Sequence, residues 1–593
     1  MGEALRVSLR SERLKQLLAH RLGNRLVFFL LAIVIGALVG LATVALIWLI
    51  ELVHRIGYGT AGEDGLAAMI ASLPAWQVIL VPTLGGAVVG GLLRFMPGQR
   101  YHGIADVMEA CALNSARMPV RSDLVAALAA GVSLGSGVPL GREGPAVHIG
   151  SSLSALVAEK LGLDHRHSLA LLGCGAASAV AVSFSTPITA VIFALEVIVG
   201  YYTLWVFAPV VIAAMAGMMV REAFLGQGAL FDLPARELVS MWELLSFALL
   251  GVVAAMFARA QLGVIPLMTG FWERLALPRL MRPAAAGVLI GVAALEFPHV
   301  LGLGIEGTQT ALEGGFTATE YTGLFIVKWL VVCLALASGF AGGVFGPSVF
   351  LGAMLGGAFW SFLSLTGLPL SEVGVYATIG MGAMASAMLG APISTILIVF
   401  ELTHDYGITL GVMTATAIAS TVMQLGDYGS FFRWQLMRRN VNLASGRDSS
   451  VLMTHRVEDL VKTNYAVVPP DITAGECSSR LGSERKLVAM FVDEAGVFQG
   501  SVSLAQLLSH SIEQGMDARA LDAAMPADYA ITPNTNIVMA VQSMAEVTVE
   551  FLPVVTRPRA TEPLLAGVVW KSDLLAEHYD AVKRAREEEF GIT

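Results

Sequence analysis

Apolar segments recur along the chain from Leu26 to Leu425, and that recurrence leaves few folds open. The series runs from Leu26–Ile50 and Val78–Phe95 to Ile393–Phe400 and Ile408–Met423. Hydrophobic residues make up 55% of the sequence and charged residues 14%, where a soluble chain carries about a quarter charged. The expectation is an all-α polytopic membrane protein. Several segments fall short of the roughly 20 residues that a perpendicular spanning helix needs. Glycine and proline interrupt them, which predicts tilted and broken helices whose irregular backbone is buried or lines a cavity.

The net charge of −9 is spread unevenly. Arg6, Arg10, Arg13, Lys15, Arg21 and Arg25 precede the first apolar run, so a cytoplasmic segment is expected over residues 1–25. The run itself is too long for a signal peptide and reads as a membrane helix. Cys111, Cys174, Cys333 and Cys477 are scattered with no CxxC spacing, which predicts core packing rather than a metal or disulfide framework. Near Arg433–Ser450 the chain turns basic and then polar, and the remainder reads as soluble α/β. The expected boundaries are a membrane domain over 26–440 and a cytoplasmic tail over 441–593.

Both parts repeat themselves. STPITAVIFALE (Ser185–Glu196) resembles APISTILIVFE (Ala391–Glu401), with Pro187 and Pro392 separated by 205 positions (392 − 187). GPAVHIG (Gly144–Gly150) resembles GPSVFLG (Gly346–Gly352) at 202 (346 − 144), and HGIAD (His102–Asp106) resembles LGIEG (Leu303–Gly307) at 201 (303 − 102). Three matches in one order at a nearly constant offset indicate duplicated halves, about 26–225 and 238–440, with a substrate site where they meet. Inverted repeats are expected, although spacing alone does not show the inversion. In the tail, NYAVVPPDIT (Asn464–Thr473) echoes DYAITPNTNI (Asp528–Ile537), and GSVSLAQLL (Gly500–Leu508) echoes GVVWKSDLL (Gly567–Leu575), giving two α/β modules at about 450–512 and 522–580.

GREGPAVHIG (Gly141–Gly150) places Arg142 and Glu143 among apolar runs. An ionisable group at membrane depth is costly and is functional by default. Proline suits the first helical turn and glycine admits close approach, so a helix can begin here in mid-membrane. The unpaired N–H groups of such a start form an anion site. GGVFGP (Gly342–Pro347) would supply a second start from the other half, through Val344 and Phe345. Partial positive charges of this kind hold an anion weakly enough to release it. A movable Glu143 carboxylate can occupy the anion's place and leave when protonated or outcompeted.

GREGP followed by GVFGP, with a duplicated tail, resembles the CLC family of chloride channels and proton-coupled chloride exchangers, which often carry a cytoplasmic pair of CBS modules. The resemblance covers nearly the whole chain. It implies a homodimer with one pore per subunit, seated in the cell membrane with both termini cytoplasmic. Chloride or another small anion is the implied substrate, and Glu143 the gate. Anion contacts are implied at His102, Gly103, Arg142, Gly144, Val344, Phe345 and Phe432. The lipid bilayer and a second copy are the implied partners, with no nucleic acid.

Three positions depart from the family's pattern. Its GSGIP-type serine falls, without gaps, on His102 in YHGIA; the later GSGVP (Gly135–Pro139) is a decoy. His102 either donates to the anion or carries charge near neutral pH, or it points aside while backbone amides bind. The family's central tyrosine falls on Phe432, which has no hydroxyl; Tyr428, one turn earlier, reads as an interfacial aromatic. The exchangers' internal proton-transfer glutamate falls on Val197 in FALEV, and valine cannot relay a proton. Passive conduction is therefore expected, with a proton-coupled antiporter of nonstandard proton route as the alternative. Glu196 and Glu401 occupy equivalent places and are expected to hold helix ends. Lys328, a lone base in an apolar run, is expected to snorkel or pair.

In CBS modules the ribose-contacting pattern is Thr or Ser followed three positions later by Asp. The copies here offer Ser503 with Gln506 and Trp570 with Asp573. A structural role is thus favoured over adenine-nucleotide binding, and no other cofactor or metal is expected. Enzyme activity is not expected either: GVSLG (Gly131–Gly135) matches G-x-S-x-G but lies in a helical run, and a nucleophile elbow needs a strand, a turn and a helix.

Overall fold

A computed structural model describes residues 25–60, 65–113, 116, 118–200, 204–226, 228, 231, 238–426, 429–439, 441, 456–547, 549–556, 563–577 and 579–580. The basic residues before Arg25, Tyr428 and most of the stretch 440–455 lie outside the described residues. The chain separates into compact units at 1–442 and 443–593.

Among the described residues of the first unit, eight helices are long and apolar enough to cross a membrane, and four shorter apolar helices accompany them. Their order repeats. The first half contains α1 (Arg25–Tyr58), α2 (Ala75–Leu93), α3 (Ile104–Leu113), α4 (Val120–Gly135), α5 (Glu143–Leu161), α6 (His165–Phe184), α7 (Pro187–Phe193) and α8 (Leu204–Leu225). The second half follows the same succession: α9 (Glu243–Arg274), α10 (Arg282–Glu296), α11 (Ile305–Glu313), α12 (Ala318–Ser338), α13 (Phe345–Ser364), α14 (Val373–Leu389), α15 (Pro392–Thr403) and α16 (Tyr406–Gln424). A last short helix, α17 (Phe431–Met437), closes the unit.

Lengths depart from the bilayer in both directions. Helix α1 has 34 residues and α9 has 32, about 50 Å each at 1.5 Å per residue, so they must tilt or project beyond a hydrocarbon core of about 30 Å. Helices α7 and α15 are short and begin with proline. Equivalent helices form the core columns: α6 is buried from Ser168 to Phe184, and α14 from Gly374 to Leu389. Both are rich in Gly, Ala and Ser, which lets helices approach closely where lipid offers no hydrophobic drive. Helix α5 packs on α6 as α13 packs on α14.

The halves are joined through equivalent residues. Glu196 of the first half accepts from the Ile393 and Ser394 amides at 3.1 and 2.8 Å and from Ser394 Oγ at 2.5 Å. Glu401 of the second half accepts from the Ile188 and Thr189 amides at 2.9 and 2.7 Å and from Thr189 Oγ1 at 2.5 Å. Each carboxylate thus caps the unpaired N-terminal amides of the other half's short helix. Such exchange of identical contacts is what a two-fold relation between halves produces. The four cysteines are free and buried. Lys328 is fully buried and pairs internally, donating to the His299 and Gly302 carbonyls at 3.3 Å each, with its ammonium 3.9 Å from the Phe350 ring centroid.

The second unit holds a four-stranded sheet, β1 (Ala466–Val468), β2 (Val488–Val492), β3 (Phe498–Ser503) and β4 (Met525–Pro526), and a hairpin, β5 (Phe551–Val555) with β6 (Leu565–Trp570). Strand β1 runs parallel to β2, and β2 antiparallel to β3. The second module repeats this, with Ile531 bridged in parallel to Val554 ahead of the antiparallel hairpin. The modules exchange their leading segments: β4 pairs with β3 of the first module, while Lys462 bridges Val568 of the second.

Candidate functional site

The two glycine-rich loops meet head to head. Gly141 N donates to the Gly343 carbonyl and Gly343 N to the Gly141 carbonyl, both at 2.7 Å. These glycines are themselves equivalent (343 − 141 = 202). A methyl on Gly144 would stand 3.1 Å from Gly343 Cα, and one on Gly343 would stand 3.0 Å from the Gly144 nitrogen. Only glycine lets both backbones come this close. The bridge sets the N-termini of α5 and α13 against each other inside the protein.

Glu143 is the first residue of α5 and is 3% exposed. Its Oε2 accepts from Gly346 N at 3.3 Å. Gly346 is the second residue of α13, so its N–H is one of those a helix start leaves without an intrahelical partner. The carboxylate of one half therefore occupies the anion-attracting end of the other half's helix. Val344 caps that helix and is buried. Phe345 begins it, with its ring 4.3 Å from Phe184 and 6.0 Å from Phe193.

Helix α3 approaches from a third direction, packing on α5, on α17 and on the segment Ala194–Val199. That segment winds as a π-helix, a form frequent at functional positions, and it carries the buried Val197. Phe432 is buried in α17, 5.9 Å from the Phe431 ring. The predicted residues thus divide. Glu143, Gly144, Val344 and Phe345 come together at the loop bridge. Val197 and Phe432 sit on elements that flank α3.

Three expected contacts are turned elsewhere. The Gly103 amide donates to Asp106 Oδ2 at 2.8 Å, because Asp106 reaches back to the start of its own helix. Arg142 directs its Nη2 to the Ser183 carbonyl at 2.9 Å. His102, 7% exposed, lies with its ring 6.1 Å from that of His148. The decoy GSGVP forms the turn after α4, where Ser136 Oγ donates to the Ser133 carbonyl at 2.8 Å. Ser133 itself lies within α4, so GVSLG builds no nucleophile elbow.

The sequence reading missed His148 and Asp123. Their Nε2 and Oδ1 atoms lie 3.7 Å apart, and both residues are buried. His148 could have been flagged as a polar residue five positions beyond Glu143 on a buried helix. Asp123 carries no such signal.

A family model for voltage gated chloride channels matches residues 85–424, more than half of the chain. The chain belongs to this family. It is 32% identical over 390 residues to a putative chloride channel protein ClcB-like of Ralstonia nicotianae, covering 64% of this chain and 90% of that one. It is 30% identical over 411 residues to the H(+)/Cl(−) exchange transporter ClcA of Vibrio cholerae, covering 67% and 86%. Among solved structures, a slow cyanobacterial Cl−/H+ antiporter superposes with a TM-score of 0.61 at 21% identity, covering 70% of this chain and 97% of that one. A eukaryotic CLC transporter superposes at 0.58 with 16% identity, covering 92% of this chain and 97% of that one. Voltage-gated chloride channel relatives thus include proteins named as channels and as exchangers, and anion transport is common to both.

Proposed function

We propose that the protein is a passive, chloride-preferring anion channel gated by Glu143, working as a homodimer with one pore per subunit. The observation that carries this reading is the Glu143 carboxylate on the Gly346 amide. A side-chain anion already uses the donor that a permeant anion would need, so the two compete for one place. Val344, Phe345 and Gly144 supply the remaining backbone around it, and Phe432 is proposed to border the route without a hydroxyl. Val197 supports conduction without obligatory proton coupling, since the position offers nothing to protonate.

The alternative is a proton-coupled anion antiporter, and the ClcA relative supports it. In that reading protons reach Glu143 by a path that bypasses Val197. Reversal potentials of the purified protein in planar bilayers, under opposed chloride and proton gradients, separate the two. A channel gives the chloride Nernst potential at every pH gradient. A reversal potential that shifts with the proton gradient would replace the channel by the antiporter.

The membrane is proposed to be the cell membrane, with both termini on the cytoplasmic side. The second unit is proposed to be a CBS pair with a structural task. Ser503 and Gln506 are engaged with each other as the capping box of the helix Leu504–Gln514, and Asp573 is engaged by Lys462 at 2.8 Å. Neither pair is left free to hold a ribose.

A further inference from the structure

Within the first half, His102, Asp123 and His148 form a buried cluster on three elements: the segment leading into α3, helix α4 and helix α5. They are 7%, 3% and 2% exposed. One donor atom from each lies within 4.8 Å of the other two. Asp123 has no Lys or Arg partner among the described residues, unlike Asp106 nearby, which binds Arg100 at 2.7 Å and Arg439 at 2.9 Å. A buried carboxylate needs a cation or a proton to balance it. Its oxygens are instead oriented by Ser152 Oγ and, at 3.3 Å, by Ser122 Oγ. His148 adds an independent sign: Nδ1 has no hydrogen-bond partner among the described residues, and Nε2 stops 3.7 Å from Asp123 Oδ1, beyond hydrogen-bond reach.

We propose that His102, Asp123 and His148 bind a divalent transition-metal ion of borderline softness, with Zn²⁺ as the reference ion. Two imidazoles and one carboxylate are a three-ligand set that leaves a fourth position for water or an anion. Bonds of about 2.0–2.2 Å to a tetrahedral ion place donors about 3.3 Å apart, so the His148–Asp123 pair needs to close by less than an ångström. The two serine hydroxyls on Asp123 orient the ligand carboxylate as outer partners do in metal sites. One carboxylate is too few for the all-oxygen shells of Mg²⁺ or Ca²⁺. The cluster is not a by-product of the duplication, because the equivalents of His102 and His148 are Leu303 (303 − 102 = 201) and Phe350 (350 − 148 = 202). An ion here ties the helix that begins with Glu143 to α4 and to the entry of α3, so binding slows anion transport. Metal binding holds for a channel and an antiporter alike.

The test is a Zn²⁺ titration of the purified, EDTA-stripped full-length protein against a chromophoric chelator, with chloride efflux from proteoliposomes measured in parallel. One Zn²⁺ per chain should bind at or below about 10 μM, unaffected by millimolar Mg²⁺, and efflux should slow with Zn²⁺ and recover in EDTA. His148→Gln should weaken binding at least about tenfold and abolish the ratio between EDTA and Zn²⁺ efflux, while His102→Cys, which keeps a ligand, should retain binding. If the unaltered protein takes up no stoichiometric Zn²⁺, or if folded His148→Gln binds it equally well, the proposal is overturned.

Discussion

The two helix starts that meet at the Gly141–Gly343 bridge are built on one plan and furnished in opposite ways. At the first, Glu143 leads the helix, His148 follows five positions on, and Asp123 and His102 stand beside it. At the second, the equivalents of Glu143, His148 and His102 are Phe345, Phe350 and Leu303, with Lys328 beneath the Phe350 ring. The first start carries ionisable side chains, whereas the second sets an apolar ring over Lys328, whose ammonium is held by two carbonyls. Duplication supplied a pair of anion-attracting amide ends, and divergence left a glutamate at the first and a phenylalanine at the second. Under the proposed gating, the second half provides the seat and the first half the occupant that contests it. Where the two halves still agree, in the reciprocal caps of Glu196 and Glu401, the task is mechanical.

That comparison can be broken first at the shared feature. Glu401→Ala strips acceptors from two amides and a hydroxyl and should destabilise the membrane unit by about 3 kcal/mol, read as a lower midpoint in thermal unfolding of the detergent-solubilised protein. Glu196→Ala should cost a similar amount. A large inequality between the two would mean that the halves do not share load as their contacts imply.

Next comes the fixed cation of the second half. Lys328→Met leaves the His299 and Gly302 carbonyls unpaired and removes the contact with Phe350, for about 2 kcal/mol. Its unfolding midpoint should fall while anion selectivity stays as it was. Altered selectivity would move Lys328 from scaffold to pathway.

The movable charge of the first half should give a smaller energetic signal and a larger functional one. Glu143→Gln removes the competing anion from Gly346 N, so chloride affinity by calorimetry should rise roughly tenfold, about 1.4 kcal/mol. The dependence of current on pH or voltage should flatten. Unchanged affinity and gating together would remove Glu143 from the role given to it.

The smallest effect is expected at His102→Ser. The ring faces His148 and Asp123, so permeability ratios for chloride, nitrate, bromide and fluoride should shift by less than about twofold, below 0.4 kcal/mol. A larger change would return His102 to the anion.

What could be read in the sequence follows from what is local. GPAVHIG with GPSVFLG, and the two proline-led segments ending in Glu196 and Glu401, exposed the duplication because each motif is contiguous. The same contiguity located the helix starts. It did not reveal α5 as a full helix, since the Gly and Ser residues along it lower its apolar signal. The sequence suggested that Glu196 and Glu401 hold helix ends, but which half each one serves is set by a two-fold relation no linear pattern carries. Gly103 was assigned to the anion although Asp106, three residues on, is a good partner for its amide. The Asp123–His148 pair joins two separate helices, and such a contact exists only after folding.

The central claim is that the α13 amides and a competing Glu143 share one anion seat, and anomalous scattering from bromide-soaked crystals tests it most directly. The account predicts a bromide peak within hydrogen-bond distance of Gly346 N in Glu143→Gln, at the place the carboxylate otherwise takes, and a weaker peak in the unaltered protein. Bromide absent from the Val344–Gly346 amides in both, in protein that still conducts bromide, would contradict it.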